Sequence, residues 1–188
     1  MSFGATGSVS YSTITGNNYT GPNFASSTGI LAYGGGGSAC GVGSDSPLVQ
    51  QARFVGNQLT GNDIGIGLYN YDPTCTKAAA TPTRDTACFN LIENSHGYPG
   101  GVASADANTT GFYQPPIGYQ AGVADVDNHD VICDNAISGA GYAPLGATRS
   151  LPNPPPPTFV RPIDIVSAPT TDPLVFGNTF DGFYYRPH

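Results

Sequence analysis

Five short stretches of the chain repeat one arrangement of apolar and polar positions. They are STITGNNYTG (12–21), ARFVGNQLTG (52–61), FNLIENSHG (89–97), VICDNAISG (131–139) and LVFGNTFDG (174–182). Each centres on an Asn, namely Asn17, Asn57, Asn94, Asn135 or Asn178, which recurs about every 40 residues. Three residues before it stands Ile14, Phe54, Leu91, Ile132 or Val175, and two after it Tyr19, Leu59, His96, Ile137 or Phe180. The third copy is one residue short and runs from His96 straight into Gly97. A second element alternates with the first: TGILAYG (28–34), IGIGLYNY (64–71), AGVADVDN (121–128) and RPIDIVSA (161–168). In it a Gly or Pro precedes Ile30, Ile66, Val123 or Ile163.

This spacing predicts short strands joined at bends. Side chains alternate along a strand, so both apolar positions of the Asn element can face one core only if the chain turns near the Asn. Asn suits such a bend because it tolerates the left-handed conformation and can bond its own backbone. Where strands stack at roughly 4.8 Å, equivalent Asn side chains lie one above another. Their amides then satisfy each other as a buried ladder. The expected rungs are Asn17, Asn57, Asn94, Asn135 and Asn178. A single repeat cannot bury its apolar row, whereas stacked neighbours can.

These Gly-Asn and Gly-Ile units resemble the right-handed parallel β-helix repeats of the pectate-lyase-like superfamily, over roughly residues 10–182. The resemblance implies an all-β fold, a right-handed parallel β-helix (solenoid) of about four to five coils. It would form one domain over 1–188, with loop insertions at 34–47, 72–85, 98–119 and 140–160. The superfamily includes enzymes, tailspikes and adhesins, so the resemblance implies architecture more than activity.

Composition narrows the class. Charged residues are only 10% of the chain, and 26 Gly and 17 Pro make it turn-rich. Eleven Tyr and nine Phe argue for order all the same, since disordered segments are poor in aromatics. The net charge of -7, with six scattered Lys and Arg, disfavours nucleic acid and anionic membranes as partners. No apolar run of about 18 residues exists, so no membrane insertion is expected. Met1–Gly4 shows no signal-peptide pattern. Low Lys, abundant Ser, Thr, Asn and Gly, and four Cys nevertheless predict an extracellular or cell-surface protein, with the chain a fragment lacking its targeting segment. Four Cys allow three pairings. Cys75 and Cys88 bracket a polar loop and are the expected disulfide, one that would add about 3 kcal/mol. Cys40 and Cys133 are left to pair only if the fold unites them. No C-x-x-C pair exists, which excludes a zinc ribbon.

Candidate chemistry is concentrated in ADVDNHDVICDN (124–135). Asp125 and Asp127, two apart, would share one strand face. The resemblance implies a role for such acids, with Asp130, as general acid and base or as Ca²⁺ ligands in a lyase. Against this, the neighbouring repeats place Gly67 and Tyr69, or Asp164 and Val166, at the expected equivalent positions. No Lys or Arg lies between Arg84 and Arg149 to serve a lyase. His96 beside Glu93 is a further candidate. Tyr69, Tyr71, Tyr113 and Tyr119 are candidates for stacking on sugar rings. No other cofactor or metal is expected. The expected function is an extracellular scaffold or interaction module, whose partners are neutral glycans, further copies of itself stacked end to end, or the rest of a longer β-helix. The alternative is a carbohydrate-active enzyme, a glycoside hydrolase or polysaccharide lyase, using the Asp pair.

Overall fold

The computed structural model describes residues 1–2, 4–18, 27–38, 46–95, 120–143, 160–165 and 173–185. Among them the chain forms fifteen strands, a 3₁₀ turn at Ala140–Tyr142 and no α-helix. Apart from the last strand, three sheets each take every third strand. The first holds β1 (Ser8–Ser10), β4 (Arg53–Val55), β7 (Thr86–Cys88), β10 (Val131–Cys133) and β13 (Leu174–Phe176). The second holds β2 (Thr13–Thr15), β5 (Gln58–Thr60), β8 (Leu91–Glu93), β11 (Ala136–Ser138), β14 (Thr179–Phe180) and β15 (Phe183–Tyr184). The third holds β3 (Thr28–Gly35), β6 (Ile64–Tyr71), β9 (Gln120–Val126) and β12 (Val160–Ile165). The chain thus visits the sheets in turn and returns one strand further along. Every pairing is parallel except that of β15, which runs antiparallel along β14.

The core is a set of stacked columns. Val9, Phe54, Ala87, Ile132 and Val175 are in register in the first sheet, and Ile14, Leu59, Ile92, Ile137 and Phe180 in the second. Ile30, Ile66, Val123 and Ile163 align in the third, as the Gly-Ile element predicts. All these residues are buried or half-buried in one cluster. The glycines before Ile30, Ile66 and Val123 also have a physical reason. The ladder skips them, pairing Ile64 with Ala121 and then Ile66 with Val123. A Cβ on Gly65 would lie 2.5 Å from the Gly122 carbonyl oxygen and 2.6 Å from Ile92 Cγ2. At Gly65 there is thus no room for a side chain, and Ile66 beside it turns inward.

The bend between the first and second sheets uses a residue in the left-handed region, at Tyr11, Gly56, Phe89, Asp134 and Gly177. The residue after it is Ser12, Asn57, Asn90, Asn135 or Asn178. The last four form a buried ladder. Each backbone N–H of Asn57, Asn90 and Asn135 donates to the next Asn Oδ1 at 3.0 Å. Their Nδ2 groups donate to that same oxygen at 2.8–3.0 Å and to the carbonyls of Val9, Phe54 and Ala87. The expected rungs Asn17 and Asn94 are not in this column. Asn17 stacks on Asn62 at the following bend, and Asn94 donates to the Asn62 carbonyl there. The first repeat is therefore out of register with the others, and in the third Asn90 takes the rung. Leu91, expected inward, is 48% exposed, and Ile92 points in instead.

The cysteine pairing also differs from expectation. Cys88 bonds to Cys133, its register partner on the adjacent strand. Cys75 is disulfide-bonded as well, but not to Cys88. Parallel stacking, which brings residues about one repeat apart to the same height, outweighs proximity along the chain. Cys40 lies outside the described residues. The insertion expected at 34–47 begins inside β3, and that at 140–160 opens with the 3₁₀ turn and closes in β12. No helix among the described residues is long and apolar enough to cross a membrane.

Candidate functional site: a buried carboxylate cluster

β9 and the turn that follows it carry the acidic candidates. In β9, Val123 pairs with Ile66, and Asp125 pairs with Leu68 on one side and Ile165 on the other. This register is one residue from the expected equivalence with Gly67 and Asp164. A one-residue slip exchanges the faces of a strand. Asp125 therefore follows Val123 into the interior, and Asp127 follows it beside Asn70. The chain then bends into β10, and Asp130 stands just before that strand. Asp85 stands just before β7 in the preceding round. All four carboxylates are sealed, with relative exposure of 1% or less.

Three of them converge. One oxygen each from Asp85, Asp127 and Asp130 lies within 4.8 Å of the other two. Asp127 is the best supported. Its Oδ2 accepts from Asn70 Nδ2 at 2.6 Å, and its Oδ1 accepts from the Asn128 N–H at 2.9 Å and from the Thr83 hydroxyl. Asp85 Oδ1 accepts the Ala52 N–H, and Asp130 Oδ1 accepts the Asp85 N–H, both at 2.8 Å. Thr83 Oγ1 lies 3.1 Å from Asp130 Oδ1 and 2.8 Å from the Asn128 carbonyl. Its single hydrogen thus faces three acceptors. Asp130 Oδ2 and both oxygens of Asp125 have no hydrogen-bond partner.

The electrostatics follow from this. Burial raises all four carboxyls above their ordinary value, and mutual repulsion adds to it for Asp85, Asp125 and Asp130. For Asp127 burial is opposed by the bonds from Thr83, Asn70 and Asn128, which makes it the group most ready to ionise. The Asp127 N–H offsets part of the rise at Asp125 without reaching hydrogen-bond geometry. Among the described residues none of the four pairs with a cationic side chain; Arg84, next to Asp85, is exposed.

The structure thus brings Asp125, Asp127 and Asp130 together, but inside the molecule. Tyr71 is also buried, packed with Cys75, Ala78 and Val126. Its ring stacks on Tyr69 and meets Tyr33 edge-on, so it is not open to a sugar. Tyr113, Tyr119 and His96 lie outside the described residues. Among the described residues, the aromatics that solvent reaches most are Tyr11, Phe89, Phe176, Phe183 and Tyr184. Sequence reasoning missed Asp85, Asn70 and Thr83. The available signal was positional: Asp85 and Asp130 each stand one residue before a strand of the first sheet. Comparison with family models, curated proteins and solved structures found no match.

Proposed function

We propose that the chain is a non-catalytic parallel β-helix that serves as an extracellular scaffold, its outer surface making the contacts. The helix reading is supported by the strand order, the parallel register and the stacked inward columns. The extracellular reading is supported by the Cys88–Cys133 disulfide, since such bonds persist in oxidising compartments. The observation that carries the non-catalytic reading is the sealing of Asp125, Asp127 and Asp130. A general acid or base must come within hydrogen-bond reach of its substrate. A polysaccharide outside the sheets cannot approach these side chains.

The contact surface best supported is lateral. Leu174, Phe176 and Phe89, at 63, 51 and 63% exposed, bring apolar surface to the outside of the first sheet and its bend into the second. Phenylalanine and leucine lack the polar rim that sugar stacking uses, and such surface suits a protein partner, here a second copy. Stacking end to end finds less support, because antiparallel β15 covers the edge of β14. Light scattering across a concentration series tests this, comparing the wild type with a Phe89→Ser, Leu174→Ser, Phe176→Ser chain. The expected result is concentration-dependent association in the wild type alone. Glycan hydrolysis that vanishes in a folded Asp127→Asn chain would overturn the non-catalytic reading.

A further inference from the structure

We propose that Asp85, Asp127 and Asp130 together hold a calcium ion inside the fold, at the bend between the third and first sheets. Each bend of this protein is held by a column of side chains whose oxygen takes a backbone N–H from the preceding round. At the bend from first to second sheet the rungs are Asn57, Asn90, Asn135 and Asn178. At the bend from second to third, Asn62 Oδ1 takes the Asn17 N–H at 3.2 Å. At the bend from third to first, Asp85 and Asp130 do the same for Ala52 and Asp85.

The substitution of Asp for Asn matters. An Asn rung has a second, donating terminus, and the Nδ2 of Asn90 uses it on the Phe54 carbonyl and on Asn135. An ionised Asp rung has only acceptors. The column therefore lacks positive charge where the Asn columns supply amide hydrogens. The deficit is visible at Asp130 Oδ2, fully buried and unpartnered within the cluster, and at Asp125, of which neither oxygen has a partner. Such groups are costly unless a cation or a proton meets them.

The geometry fits a cation. Two oxygens on opposite sides of an ion bound at about 2.4 Å lie about 4.8 Å apart, and the three carboxylate oxygens fall within that span. Every donor at hand is a hard oxygen, including the neutral Thr83 hydroxyl, with no nitrogen or sulfur ligand in the set. Magnesium keeps much of its water, whereas calcium accepts a cage built largely of protein oxygens. The sealed position of the cluster therefore favours calcium.

The test is to unfold the chain and refold it either in millimolar calcium or in EDTA. After desalting, elemental analysis of the calcium-refolded chain should find about one bound calcium. Its melting midpoint should lie about 5–10 °C above that of the EDTA sample. Asp130→Asn should lose both the bound calcium and the calcium-dependent shift, while melting in EDTA no lower than the wild type. A wild type that retains no calcium and melts identically in both conditions overturns the proposal. So does an Asp130→Asn chain that retains the metal. If that variant fails to fold, the metal content of the wild type still decides.

Discussion

Asn90 Nδ2 donates to Asn135 Oδ1 at 2.8 Å, and that same oxygen takes the backbone N–H of Asn90 at 3.0 Å. Side chain and main chain of one rung thus converge on a single atom of the next. Asn90→Ala removes the rung, leaving the Asn57 N–H and the Phe54 carbonyl short of a partner inside the core. Each such loss costs about 1–3 kcal/mol. The expected destabilisation is about 2–4 kcal/mol in urea unfolding. Asn17→Ala, at a half-buried site with one side-chain bond, should cost about 1 kcal/mol or less.

Phe89 occupies the left-handed region at φ 58° with its ring 63% exposed. The equivalent bends use Gly56 and Gly177. The left-handed conformation costs an ordinary residue about 1–2 kcal/mol, and Asn tolerates it better. Phe89→Asn should therefore raise stability by about 0.5–1 kcal/mol. A chain that loses stability here would show that the ring contributes to the monomer.

Gly65→Ala should have the opposite effect. Its Cβ would meet backbone, the Gly122 carbonyl, which cannot rotate away as a side chain can. Overpacking of this kind typically costs about 1–3 kcal/mol. The loss should appear as a lower urea midpoint at unchanged slope.

The buried acids also set a pH dependence for the protein stripped of divalent cations. Burial raises Asp127 to about 6 and Asp85 to about 7 from an ordinary 3.8, and Asp125 and Asp130 are raised as well. The folded state then holds protons that the unfolded chain releases. Stability is greatest below the unfolded value and falls as pH rises through the folded ones. The stripped chain should melt higher at pH 5 than at pH 8. A midpoint that rises over this interval would show that the carboxyls are ionised and compensated in the fold.

The third sheet could be read from sequence because its sign is steric. Wherever Gly or Pro precedes Ile30, Ile66, Val123 or Ile163, the kink leaves little other choice. The Asn ladder was half legible. Asn57, Asn135 and Asn178 follow Gly or Asp, residues that mark a bend. Phe89 looks like a strand residue and hides Asn90, while Asn94 offers a plausible decoy four positions on. The burial of the acidic cluster was not legible, because charge in a strand normally means solvent. Nothing local reveals that Asp85 and Asp127, far apart in sequence, meet inside. That follows only from register, where a shift of one residue reverses every face.

The Cys88–Cys133 bond has a mechanical consequence. A stack of three-strand rounds under tension along its chain would peel from the ends, each round yielding in turn, because each rests chiefly on its neighbours. The bond joins the third and fourth rounds side by side, and the sequence separation it spans is 45 residues. Those residues are withheld from extension whatever the load, shortening the fully stretched chain by about 150 Å. The middle of the stack is thereby riveted, so the molecule can lengthen under a pull without parting at its centre.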